Sequence, residues 1–170
     1  PSDDATPAAP AVAAKGKLTD QSLGGLLKAS GIEATGADQR YDFTFKATVE
    51  DAECDFSMSA VLSHDGSSLW IMAWLAELPK SAADVPRTAL LRLLAENDKL
   101  GKGKAFAYIP ANRRFVLQRA ILNENVTGAN FRAALEDLGQ SVVATHAIWY
   151  TPNWSSSSGE TAPTSSKSAP

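Results

Sequence analysis

The stretch Ser68 to Leu78, Ser-Leu-Trp-Ile-Met-Ala-Trp-Leu-Ala-Glu-Leu, most constrains the fold of this chain. Leu69, Ile71, Ala73 and Leu75 fall on one face at strand spacing, and Trp70, Met72, Trp74 and Ala76 on the other. A strand apolar on both faces needs cover on both. Helices of the same chain can supply one cover, leaving the second to another copy of the protein or to a ligand. Two readings of Trp70 and Trp74 therefore stand side by side: burial beneath helices, or exposure as a binding patch, since contiguous apolar surface is rare on soluble monomers.

The flanking residues extend this strand into a meander. Tyr41 to Val49 alternates, with Tyr41, Phe43, Phe45, Ala47 and Val49 on the apolar side. After the polar turn Glu50-Asp51-Ala52-Glu53, Cys54, Phe56, Met58, Ala60 and Leu62 form the inward face of a second strand. His64-Asp65-Gly66-Ser67 turns into the third strand, and Pro79 ends it. Upstream, Thr19 or Asp20 can cap a helix to about Ser30 bearing Leu23, Leu26 and Leu27, although Gly24 and Gly25 weaken it. Downstream, Ser81 or Asp84 opens a helix with Leu90, Leu91, Leu93 and Leu94, stopped at Leu100-Gly101-Lys102-Gly103. Ala105–Ile109 and Arg114–Ile121 read as a second hairpin. Thr127 then caps a last helix carrying Phe131, Leu135, Leu138 and Val142, with Trp149 near its end.

The expected architecture is α+β: a five-stranded antiparallel sheet with three helices, in the order α-β-β-β-α-β-β-α. Residues 1–17 are Ala/Pro-rich and residues 151–170 Ser/Thr/Pro-rich, so both read as disordered tails around one domain at 18–150. No initiator Met is present, which suits a processed chain or one cut from a longer protein. No internal repeat of 20 to 50 residues is visible, and no apolar run approaches the ~20 residues that cross a bilayer.

Net charge is −3, which argues against bulk nucleic-acid binding. The charge is polarised: Leu18–Asp84 holds eleven acids against four bases, and Val85–Tyr150 five acids against nine bases. An acidic half and a basic half suit self-association or a charged partner, or simply two solvated faces of a monomer. Cys54 is the only cysteine, so no internal disulfide can form.

Element order and a loose pattern carry a family resemblance over residues 18 to 150. The pattern is Leu78-Pro79, then Leu93-Leu94-x-x-Asn97, then Gly103-Lys104-Ala105-Phe106 and Arg114-Phe115-Val116-Leu117. The chain resembles the type III secretion chaperone-like family, small acidic bacterial proteins that dimerise and bind extended client segments. The resemblance implies a non-catalytic homodimer with no cofactor. Its central helix would supply the subunit interface through Leu90, Leu91 and Leu94, and client contacts would fall on Phe43, Phe45, Trp70 and Trp74. It also implies a cytoplasmic location, whereas the long tails would suit a periplasmic or secreted protein.

No catalytic constellation competes with that reading. Ser63-His64-Asp65 has triad residue types, but neighbours on a turn cannot converge as a triad must. His146 stands far from any nucleophile motif. Cys54, His64 and His146 lack metal-ligand spacing. Glu50, Asp51, Glu53 and Asp55 read as a solvated turn, and Leu100–Lys104 lacks Walker spacing. The basic surface of Lys102, Lys104, Arg113 and Arg114 interleaves with Phe106, Tyr108 and Phe115. It gives an alternative function, a regulatory or scaffolding domain meeting nucleic acid or an acidic partner.

Overall fold

The computed structural model describes residues 16–157. Thr19 accepts a hydrogen bond from the Ser22 amide while Ser22 accepts one from Thr19, a capping box that starts α1 (Asp20–Ala29). Strands β1 (Ala34–Ala37), β2 (Arg40–Val49), β3 (Ala52–Leu62) and β4 (Ser68–Glu77) follow as an antiparallel meander. Then come α2 (Arg87–Leu100), β5 (Lys104–Ile109), β6 (Arg114–Leu122), α3 (Gly128–Ala144) and the short α4 (His146–Trp149). The sheet order is β1-β2-β3-β4-β6-β5, antiparallel throughout.

The sheet has six strands where the sequence pattern gives five. The extra strand, Ala34-Thr35-Gly36-Ala37, has no apolar alternation and only Ala34 is even half-buried. Main-chain pairing with Arg40–Phe43 makes it a strand, through a two-residue turn at Asp38 and Gln39 that both have positive φ. Glu50 and Asp51 turn the β2–β3 hairpin with the same signature, that of a type I′ turn.

Phe43, Phe45, Val49, Phe56, Met58, Ala60, Leu69, Ile71, Ala73, Leu75 and Leu117 form the covered face, beneath α1 and α3. Helix α3 buries Phe131, Ala134, Leu135, Leu138 and Val142 there, and α1 buries Leu23, Leu26 and Leu27. Two of the helix glycines have packing reasons, whereas a Cβ on Gly25 would meet nothing. A Cβ on Gly139 would stand 3.0 Å from the Phe56 ring, and one on Gly24 would stand 2.8 Å from the Tyr41 hydroxyl, which donates to the Asp20 carbonyl. Close approach of helix to sheet offsets the propensity cost of about 1 kcal/mol.

Helix α2 covers the outer edge of β5. Asn97 accepts from the Phe106 amide at 2.7 Å and donates to the Phe106 carbonyl at 3.4 Å, a side-chain mimic of a neighbouring strand. At the opposite end of β6, fully buried Asn123 ties two other segments to its own: it bonds both main-chain groups of Leu18 and the carbonyl of Gly66, all at 2.9 Å.

The expected tails require adjustment at both boundaries. Thr151–Ser157 forms a 3-10 helix, and Trp154 is buried, its indole N–H donating to the Ile148 carbonyl and its ring against Phe115. A single aromatic anchor in a Ser-rich run holds this segment to the core. Gly16 and Lys17, placed in the first tail by composition, are described too, and Gly16 bonds Asn125. The remainder of both expected tails lies outside the described residues.

Candidate protein-binding surface

Directly paired residues share a face of the sheet. The register therefore puts Arg40, Val61, Trp70 and Ala120 in one row of the face opposite the helices, and Asp42, Ser59, Met72 and Gln118 in the next. Trp74 and Val116 follow in a third. Trp70, Met72 and Trp74 are half-buried, whereas their strand neighbours Leu69, Ile71, Ala73 and Leu75 are buried under helices. Of the two readings of the tryptophans, burial beneath helices is thus not the one adopted.

Trp74 is fixed rather than loose. Its indole N–H donates to Ser59 Oγ at 2.7 Å, Ser59 donates to Asp42, and Arg40 donates to the other Asp42 oxygen at 2.9 Å. The Arg40 and Arg114 guanidinium carbons each lie 5.8 Å from the Trp74 ring centroid. Val116 is fully buried in the same row. The result is a preformed aromatic surface rimmed by arginine and held by a polar chain.

The client residues expected from the sequence are divided by this geometry. Trp70 and Trp74 are on the open face. Phe43 and Phe45, 7% and 3% exposed, lie on the covered face, with the Arg132 guanidinium over the Phe45 ring. They belong to the core and do not line a surface, a correction to their expected role. The alternation of β2 is one-sided, and its apolar side is the one that the helices take.

The three α2 leucines do sit together. Leu91 and Leu94 are 58% and 65% exposed, with Leu90 half-buried beside them, while Leu93 and Ala89 face the core. Among the described residues, Tyr108 on β5 and Leu122 at the end of β6 are the other large apolar residues left exposed.

The two sheet edges also differ. Helix α2 and Asn97 seal β5, whereas β1 pairs with β2 only from Arg40 to Phe43, so no described strand pairs with the outer edge of Thr44–Val49. Grooves on both sides of Lys46 and Arg132 follow this bare edge, one of about 460 Å³ beside Glu136 and Gln140 and one of about 440 Å³ beside Ile32 and Glu33.

The basic residues are largely engaged at home. Lys102, Lys104 and Arg119 each contact Asp137 at 2.9–3.0 Å, and Lys104 also donates to Ser141. Burial pushes the Asp137 carboxyl up, but hydrogen bonds from Lys104 and Lys102 and the nearby cationic charge outweigh it and hold it below the ordinary carboxylate range. Arg113 donates to the carbonyls of Pro79 and Lys80, and Arg114 to that of Leu75. Asp65, taken with His64 and Ser63 as a turn, accepts from Ser63 Oγ and from the Ser67 amide and hydroxyl, which lowers its pKa strongly. Among the described residues no group of His, Cys, Asp and Glu is arranged to hold a metal ion.

No family model matches the chain, and no curated protein does. Among solved structures, a chain of the ExsC-ExsE complex aligns with a TM-score of 0.52 at 13% identity, over 76% of this chain and 92% of that one. A chain of the HopA1-SchA chaperone-effector complex aligns with a TM-score of 0.45 at 12% identity, over 78% of this chain and 88% of that one. The α+β body of this protein therefore has the type III secretion chaperone-like fold that its sequence resembles.

Proposed function

We propose that the protein is a non-catalytic, chaperone-like binding module that forms a homodimer and holds an extended apolar segment of a client protein. The observation that carries this reading is apolar surface left at least partly open in two places: the Leu90, Leu91 and Leu94 face of α2, and Trp70, Met72 and Trp74 along β4 on the open sheet face. In this reading the leucines meet their counterparts in a second copy, and the tryptophans receive client side chains. The bare Thr44–Val49 edge offers main-chain hydrogen bonds to an extended segment. The fold supports it, since the ExsC-ExsE structure is itself a complex of two proteins. A cytoplasmic location goes with the same reading, and no described helix is long and apolar enough to cross a membrane.

The alternative of a basic hairpin reading nucleic acid has less behind it. Lys104, Arg113 and Arg114 direct hydrogen bonds into their own fold, leaving few free cations for a phosphate backbone.

Size-exclusion chromatography with light scattering tests the dimer, on the wild type and on Leu91→Glu. The expected result is a dimeric wild type and a monomeric, folded variant, because one buried carboxylate per subunit at an apolar interface is strongly unfavourable. A monomeric wild type across the micromolar range would remove the dimer from the proposal.

A further inference from the structure

Beyond the open face and α2, one more groove combines apolar walls with an incompletely bonded cation. It lies between the end of β6 and α3, holds about 420 Å³, and is lined by Ile121, Leu122, Val126 and Ala133, with Lys102 and Arg119 beside Asp137. Strand β5 begins opposite Arg119, so the last residues of β6 have no strand on that side. At the end of the strand Leu122 is 73% exposed, the most exposed large apolar residue among those described, and Ile121 beside it is half-buried.

The cations here outnumber what Asp137 can satisfy. Its two oxygens take Lys102, Lys104 and Arg119 together. Arg119 gives only Nη1 to this cluster, at 2.9 Å, and its buried Nε has no hydrogen-bond partner among the described residues. Nε and Nη2 are the parallel N–H pair by which an arginine takes a carboxylate bidentately. An orphaned guanidinium donor is costly to leave unmade, and Arg119 is itself among the residues that line this groove. Lys102 is 68% exposed at the side chain and keeps donors free beyond its one contact. Glu124, the other acid of the lining, pairs with neither cation.

We infer that this groove is a carboxylate-reading site for an extended polypeptide, taking an Asp or Glu side chain on Arg119 and Lys102 and an adjacent branched aliphatic side chain against Ile121 and Ala133. It rests on the protein-binding reading above and adds a chemical preference to it: a client segment bound here is acidic as well as apolar. The apolar wall distinguishes such a segment from a free anion, which would use the cations alone.

The test is a titration of the isotope-labelled full chain, followed by amide chemical shifts, with acetyl-Leu-Glu-Leu-Val-amide, its Gln counterpart and inorganic phosphate. The Glu peptide is expected to shift Ile121, Leu122 and Ala133 saturably and to bind about tenfold more tightly than the Gln peptide, the worth of a hydrogen bond to a charged group. Lys102→Gln, on a side chain that is 68% exposed and with Lys104 and Arg119 still on Asp137, should lower that preference. Glu124→Gln should strengthen binding by lifting a repulsion. Equal affinity for the Glu and Gln peptides overturns the proposal. So does phosphate producing the same saturable shifts at the same concentration, which would make this a small-anion site. Light scattering on the same samples keeps the two readings apart: a dimer that ignores the Glu peptide fails only the groove.

Discussion

The two faces of the sheet come from the same strands, yet one is sealed and the other is only half-covered. On β4, Leu69, Ile71, Ala73 and Leu75 are at most 2% exposed under helices, while Trp70, Met72 and Trp74 between them keep partial contact with solvent. The edges repeat the contrast, with β5 closed by Asn97 and the far half of β2 left bare. One face and one edge are thus closed by the chain's own helices and Asn97, and the other face and edge keep access to solvent. This division is what a module that grips another chain requires: a rigid body on one side and unsatisfied apolar surface on the other.

Cutting into the covered face should have the largest effect. Leu135 is fully buried on α3, so Leu135→Ala is expected to cost about 2–5 kcal/mol in denaturant unfolding, transfer plus cavity. Trp74→Ala removes a larger side chain from the open face but should cost less, about 1–3 kcal/mol, because that ring, unlike Leu135, keeps partial contact with solvent. Equal losses at the two sites would mean that the open face is as structural as the covered one.

The next test concerns the Asp137 cluster, which ties β5, β6 and α3 on the covered side. Asp137→Asn leaves Lys104, only 7% exposed, without its ion partner, and should cost about 1–3 kcal/mol, below the full value for a buried pair because Lys102 reaches solvent. The carboxyl is held below its ordinary range in the folded state, so its contribution is complete above the unfolded value near 4 and is lost as pH falls below that. Asp65 acts in the same direction. Urea midpoints of the wild type should therefore fall steeply below about pH 4, and those of Asp137→Asn less steeply.

The sealed edge yields a smaller effect with a distinctive signature. Asn97→Ala removes two hydrogen bonds to the Phe106 backbone, at about 1 kcal/mol. More telling is the freed Phe106 N–H and C=O on the outer edge of β5, which should promote concentration-dependent association seen by light scattering. Unchanged association would indicate that the backbone of α2 alone guards this edge.

Much of this arrangement is legible from residue order, and the exceptions share a cause. Strands with a one-sided apolar period, β2 and β3, and capped helices such as α3 at Thr127 follow directly from side-chain pattern. Strand β1 escapes because main-chain pairing, not side chains, makes Ala34–Ala37 a strand. Phe43 and Phe45 show the other limit: alternation says that they share a face but not which face the helices cover. Trp154 is invisible for a third reason, since one anchor in a polar run leaves no period to detect. The groove residues Arg119 and Asp137 are eighteen positions apart and meet only when α3 crosses β6.

The smallest effect on the folded subunit should come from the α2 leucines, and this is where the comparison is sharpest. Leu93 is 2% exposed and Leu94 is 65% exposed, although they are chain neighbours on one helix. Leu94→Lys places a good helix former at a solvent-facing position, so unfolding at low protein concentration should change by no more than about 0.5 kcal/mol. At high concentration a wild-type dimer gains stability by mass action, and the variant should lose that gain. The thermal midpoint of the wild type should then rise with protein concentration while that of Leu94→Lys stays flat. A midpoint independent of concentration in both would leave this helix face with solvent alone, and the division between a structural side and a binding side would then rest on the sheet.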